Sequence, residues 1–112
     1  MKYGLVFLVV GLLLFAPLAI AGQNQGGEKF DLDGGSKGKV PFPHWKHQDT
    51  LKDCTACHTL FPKQKGAIQT EKAEQRLKSK QVMNKLCIAC HRAEKKAGKP
   101  SGPTSCATCH VR

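Results

Sequence analysis

Three short motifs of one form, Cys-x-x-Cys-His, constrain this chain more than any other feature. Together they contain all six of its cysteines and three of its five histidines. The motifs are Cys54–His58, Cys87–His91 and Cys106–His110. Positions i, i+3 and i+4 share one face of a helical turn. Each motif can therefore present two thiols and one imidazole together to a single bound group.

This spacing is typical of covalent c-type haem attachment. The two thiols join one edge of the porphyrin, and the adjacent imidazole becomes the proximal ligand of the iron. Zinc is one alternative, but zinc sites usually pair two Cys-x-x-Cys units, and three units leave one unpaired. Disulfides are the other alternative for an exported chain, although they give no reason for the three histidines. We therefore predict three haem c groups. The predicted attachment residues are Cys54, Cys57, Cys87, Cys90, Cys106 and Cys109.

The first 21 residues have the form of a secretory signal peptide. Lys2 gives a positively charged start, Leu5–Ile20 is an apolar run, and Ala19–Ala21 is an Ala-x-Ala cleavage site. The run is short for a bilayer span, which needs about 20 apolar residues. We expect cleavage after Ala21, export to the periplasm, and no stable membrane insertion of the mature chain.

Residues 22–112 are poor in large apolar side chains. They contain only 13 Leu, Ile, Val and Phe residues, and they hold 17 Lys and Arg against 8 Asp and Glu. A segment of this composition does not bury a sufficient core of its own. We expect the haems to fill the interior, and the haem-free chain to be close to unfolded.

Counting the iron ligands predicts that the three haems are not alike. Three bis-histidine haems need six histidines, and the chain has five. Beyond the motifs only His44 and His47 remain, and their spacing of three places them on one side of a helical turn. Met83 is the single methionine of residues 22–112, and a thioether is a good haem ligand. A lysine, the N-terminal amine, water or an open position are the alternatives for the last site.

The chain resembles the trihaem cytochromes of the c7 family, which are related to the tetrahaem c3 cytochromes. The resemblance covers Val40–Arg112 and, more weakly, Phe30–Lys39. It is carried by the segment Phe42–His44 with His47 and Gln48, followed by the three motifs in order. It implies short α-helices and loops around a three-haem core, with an N-terminal two-stranded β-hairpin.

The resemblance also implies how the axial ligands are paired. The family's third distal ligand is commonly a histidine four residues before the middle motif, and this chain has Met83 at that position. A methionine ligand implies a higher potential for that haem than imidazole would give. The implied pairs are His44/His58 at haem one, His47/His91 at haem two and Met83/His110 at haem three.

These features predict an electron carrier and not an enzyme, because six-coordinate iron leaves no position for a substrate. The resemblance implies shuttling between inner-membrane donors and terminal or outer-membrane acceptors, as in metal-reducing bacteria. The alternative is a haem enzyme or gas sensor that uses a labile or open sixth position on haem three.

The excess of Lys and Arg has two interpretations: a solvated face that keeps a haem-rich protein soluble, or a docking surface for redox partners with acidic surfaces. Other multihaem cytochromes and metal-ion acceptors are further candidate partners. We expect a monomer that does not bind nucleic acid, because the chain is exported and shows no recognition motif.

The expected organisation is a signal peptide (1–21), a flexible N-terminus (22–29) and a trihaem domain (30–112). The Asp-Gly-Gly turn at 33–35 favours the hairpin. We predict a helix from Thr70 to about Val82, with Thr70 as its cap. A second helix is predicted from Asn84 to Ala97, and a short last helix is predicted around the third motif.

Overall fold

The structure is a computed structural model that describes residues 22–112. The predicted signal peptide and its cleavage site lie outside the described residues. None of the helices in residues 22–112 has both the length and the apolar character required to span a bilayer. The elements are β1 (Phe30–Leu32), β2 (Val40–Phe42), α1 (His44–Leu51), α2 (Thr55–His58), α3 (Ala67–Ala73), a π-helical segment (Met83–Ile88), α4 (Ala89–Lys96) and α5 (Cys106–Cys109).

The predicted β-hairpin is confirmed. β1 and β2 pair antiparallel, with Phe30 opposite Phe42. The turn between them is shaped by Asp33, whose Oδ1 accepts a hydrogen bond of 2.7 Å from the N–H of Gly35, as Asp side chains commonly do in turns. The hairpin also binds the last residues of the chain, because the N–H of Val111 donates to the carbonyl of Lys39 at 2.8 Å.

The helix predicted from Thr70 to about Val82 is wrong at both ends. α3 begins at Ala67, directly after Gly66, whose φ is 73°. It ends at Ala73, and the chain then turns before the next helical segment.

A left-handed residue explains why α3 ends early. Gln75 has a φ of 61°, and its N–H donates to the carbonyl of Lys72 at 3.0 Å. The N–H of Arg76 donates to the carbonyl of Glu71 at 2.8 Å, which completes a Schellman motif. The turn brings Leu77 into the interior, where it is 5% exposed. Tertiary burial of this leucine therefore overrides local helix propensity.

The helix predicted from Asn84 to Ala97 is present, but it begins earlier and is not uniformly α-helical. The chain is helical from Gln81, becomes π-helical over Met83–Ile88, and continues as α4 to Lys96. π-Helical turns are rare in proteins overall, and those that occur are often at functional sites.

The described part of the chain has almost no protein core. Its only buried hydrophobic residues are Ala67 and Leu77, which are 6% and 5% exposed. The large apolar residues on its surface are Phe30, Trp45, Leu51 and Val111, each at least 36% exposed. This agrees with the composition, and it means that side chains alone do not fill the interior.

Candidate functional site

Each Cys-x-x-Cys-His motif forms a helical turn, as its spacing predicts. In motif one the N–H of His58 donates to the carbonyl of Cys54 at 3.0 Å, and α2 follows that cysteine. In motif three the N–H of His110 donates to Cys106 at 2.9 Å. Motif two lies across the junction of the π-helical segment and α4. The two thiols and the imidazole of one motif therefore lie on one side of one turn.

None of the six cysteines is paired in a disulfide. Burial raises the pKa of the Cys57 and Cys87 thiols. A neighbouring cysteine of the other motif raises each pKa further: Cys90 acts on Cys57, and Cys57 acts on Cys87. Burial likewise raises the pKa of Cys109. The thiol of Cys57 in motif one therefore lies near the thiols of Cys87 and Cys90 in motif two.

All five histidines share one arrangement of their ring nitrogens. Each Nδ1 lies within hydrogen-bond distance of a backbone carbonyl oxygen. The acceptors are Gly27 for His44 (2.9 Å), Pro43 for His47 (2.9 Å), Phe61 for His58 (3.2 Å), Pro103 for His91 (2.7 Å) and Gly38 for His110 (3.0 Å). A carbonyl oxygen only accepts, so Nδ1 carries the proton. The lone pair of every Nε2 is left for a metal.

Four of these histidines face each other in two pairs. The ring centres of His44 and His58 are 6.3 Å apart, with the rings at 83°. Those of His47 and His91 are 6.2 Å apart, with the rings at 27°. A metal–nitrogen bond of about 2.0 Å, with the nitrogen about 1.1 Å from its ring centre, gives about 6.2 Å for two imidazoles on opposite sides of one metal ion. The two pairs therefore fit two axially ligated irons.

Each pair offers only two protein ligands. The described residues contain no group of three or more His, Cys, Asp or Glu side chains that could hold a metal ion. Zinc needs four ligands, whereas a haem iron takes four nitrogens from the porphyrin and needs only two from the chain. The donor set therefore fits haem better than zinc.

Phe42, the last residue of β2, lies near one histidine of each pair. Its ring centre is 4.5 Å from that of His47 and 6.1 Å from that of His44. Trp45, which flanks the same histidines in sequence, instead donates from Nε1 to the carbonyl of Gly26 at 3.0 Å.

The last two predicted ligands lie in different surroundings. His110 follows α5 and is held by the hairpin turn through Gly38. Met83 is half-buried and is the first residue of the π-helical segment, four residues before Cys87.

Three glycines lie beside these histidines, and none of them was predicted from the sequence to be a site residue. A Cβ on Gly102 would lie 2.6 Å from Nε2 of His91, and one on Gly34 would lie 2.8 Å from Cε1 of His110. Gly38, the acceptor for His110, has a φ of 96°. The Asp-Gly-Gly turn signalled Gly34, but Gly102 is required by a contact that no local pattern reveals.

The hairpin, the short helices and the three attachment motifs define a small multihaem c-type cytochrome. A family model described as cytochrome c7 and related cytochrome c matches residues 40–111. The chain belongs to this family. It is a multihaem electron carrier rather than an enzyme, and it carries three haem c groups. The family, fold and cofactor predicted from the sequence are confirmed.

Known relatives support the same assignment. A cytochrome c7 of Geobacter metallireducens is 37% identical over 75 residues, which is 67% of each chain. A 26 kDa cytochrome c3 of Desulfomicrobium norvegicum is 29% identical over 91 residues, covering 68% of this chain and 80% of the relative. The solution structure of the triheme cytochrome PpcA of Geobacter sulfurreducens is 30% identical with a TM-score of 0.53, covering 77% of this chain and all of that one.

Proposed function

We propose that the mature chain, residues 22–112, is a periplasmic electron carrier with two bis-histidine haems and one histidine/methionine haem. The observation that carries this proposal is the facing of two pairs of imidazoles, whose ring centres are 6.3 Å apart in His44/His58 and 6.2 Å apart in His47/His91. In each of these histidines the Nε2 atom is left for a metal. The proposed axial pairs are His44/His58, His47/His91 and Met83/His110. The three cysteine pairs hold the haems by thioether bonds.

The chain's own residues set the conditions for electron transfer. Bound haem iron exchanges one electron between its ferric and ferrous forms. The carbonyl acceptors at Nδ1 fix the orientation of each imidazole and raise its basicity. A rigid, two-sided ligand set of this kind leaves no position for a substrate and keeps the coordination the same in both oxidation states.

Met83 is the proposed source of the difference between haem three and the other two. It is the only methionine in residues 22–112 and lies where the chain becomes π-helical. A thioether ligand raises the potential relative to imidazole. Haem three is then the site where an electron is most stable.

The charge of the chain supports acidic redox partners. Residues 77–112, which contain motifs two and three, hold eight Lys and Arg against a single acid, Glu94. Residues 22–76 hold nine against seven. An anionic partner is therefore steered towards the part of the chain that carries haems two and three. The proposed partners are inner-membrane donors and terminal or outer-membrane acceptors, including other multihaem cytochromes, with the chain itself a monomer.

A redox titration that resolves the three haems tests this proposal. We expect three one-electron steps, with haem three at the highest potential, and the weak red absorption band of methionine-ligated ferric haem. High-spin bands with rapid binding of CO would contradict the proposed ligands and favour an open sixth position. A potential for haem three below the other two would overturn the role of Met83.

A further inference from the structure

The segment Gln25–Glu28, here called the strap, lies against the first turn of α1. Five hydrogen bonds join them. They are Gln25 N–H to Gln48 Oε1 (2.9 Å), Gln48 Nε2 to the Gln25 carbonyl (2.6 Å), Trp45 Nε1 to the Gly26 carbonyl (3.0 Å), Trp45 N–H to the Glu28 carbonyl (3.2 Å) and His44 Nδ1 to the Gly27 carbonyl (2.9 Å). The strap precedes the residues matched by the family model, 40–111.

The two histidines of α1 differ in how their Nδ1 is satisfied. His47 donates to the carbonyl of Pro43, four residues before it on its own helical turn. His44 is the first residue of α1, so it has no helical turn before it to supply such an acceptor. Its acceptor, Gly27, is 17 residues away on the strap. The orientation of His44 therefore depends on a separate segment of the chain.

The strap also fits closely against the His44 ring. Gly26 has a φ of 70°, and a Cβ there would lie 3.4 Å from Cε1 of His44. A Cβ on Gly27 would lie 2.9 Å from the ring of Phe30. Glycine at 26 accepts this positive φ, glycine at 27 leaves room for the Phe30 ring, and the reciprocal Gln25/Gln48 pair clamps the strap beside the imidazole.

We propose that the strap is a positioning element for the distal ligand of haem one. It fixes the His44 ring, raises the basicity of Nε2 through the Gly27 carbonyl, and thereby resists displacement of His44 by external ligands. This inference rests on the proposed assignment of His44 as that ligand. Loss of such an outer hydrogen bond typically weakens a metal–histidine bond by about 10–100-fold.

The test uses two substitutions that loosen the strap without replacing a ligand. Gln48 Nε2 also lies 3.3 Å from Nδ1 of His44, so Trp45→Phe is the variant that removes a strap bond alone. Gln48→Leu removes both clamp bonds, and Trp45→Phe removes the bond to Gly26. The probe is cyanide binding to the ferric holoprotein, with the site identified by NMR. We expect cyanide to bind haem one about tenfold faster in each variant. If the ferric form loses tenfold more affinity for His44 than the ferrous form, the potential of haem one rises by about 59 mV.

The matched control is Gln69→Leu, because Gln69 is bonded to Asp33 and not to the strap. It should leave the cyanide rate and potential of haem one unchanged. An unchanged cyanide rate and potential of haem one in both strap variants would overturn the inference, because that result is expected if the strap does not position His44. An equal change in the Gln69→Leu control would also overturn it.

His44→Ala separates this inference from the proposed function. A high-spin haem one in that variant supports the ligand assignment, whatever the strap variants show. A fully low-spin haem one in His44→Ala refutes the assignment, and the strap inference with it.

Discussion

Gly102→Ala is the sharpest test of how closely the backbone approaches a ligand. The new Cβ would lie 2.6 Å from Nε2 and 2.8 Å from Nδ1 of His91. Ordinary contacts of a Cβ begin at 3.4 Å. The Cβ would lie closer still to Cε1 of His91, so the ring or the loop must move by more than about 0.8 Å, the difference between the Nε2 distance and that limit.

Two effects of this substitution oppose each other. Replacing glycine by alanine stabilises a protein by about 0.4–1 kcal/mol where the backbone accepts it, because the unfolded chain loses freedom. Here the displacement breaks the 2.7 Å bond from Nδ1 of His91 to the Pro103 carbonyl. An orphaned polar group costs about 1–3 kcal/mol, and metal affinity falls by about 10–100-fold. We expect the destabilising effect to dominate.

The assay is the spin state and the potential of haem two in the ferric holoprotein. We expect a high-spin fraction at haem two, a raised potential and a lower melting temperature, with haems one and three unaffected. Ser101→Ala, a substitution at the neighbouring exposed residue, is the control and should behave like the unmodified protein. If haem two of Gly102→Ala is low-spin and has the same potential as in the control, the predicted displacement of His91 is refuted.

Three further predictions concern the third haem, the core and an acidic group. Met83→His should convert haem three to bis-histidine ligation and lower its potential in a resolved titration, with the other haems nearly unmoved; an unchanged potential would show that Met83 is not a ligand. Replacing all six cysteines by alanine should give a chain without a cooperative melting transition by circular dichroism, since only two hydrophobic residues are buried in the described part; a sharp transition would contradict the haem-filled core. Hydrogen bonding to Arg76 lowers the pKa of Glu71 below its ordinary 4.5, so this contribution to stability is present above pH 4.5 and is lost as the pH falls through the lowered pKa. The melting temperature of Arg76→Gln should therefore fall less between pH 5 and pH 3 than that of the unmodified protein, and equal falls would count against the ion pair.

The sequence predicted what depends on local patterns. The motif turns need only the i, i+3, i+4 spacing, and the hairpin needs only its Asp-Gly-Gly turn. The end of α3 was missed because Gln75 takes a left-handed conformation that glycine usually supplies, and because Leu77 is buried by tertiary contact.

The carbonyl acceptors of the histidines were beyond sequence reasoning for a different reason. The acceptor lies 12 residues from His91 and 72 residues from His110. Main-chain oxygens are present at every residue, so composition and motifs carry no signal for which of them is used. Only the folded path of the chain selects these partners.

The use of main-chain acceptors has a consequence for how this protein diverges. Side-chain substitution at an acceptor residue leaves its carbonyl oxygen in place, so no single point mutation deletes the partner of an imidazole. Substitution at exposed positions that contact neither a ring nor the strap is then uncoupled from the orientation of the five rings. Selection acts instead on backbone path, at glycines and prolines beside the rings. Such a chain tolerates extensive remodelling of its surface for new electron donors and acceptors while its imidazoles keep the same orientation.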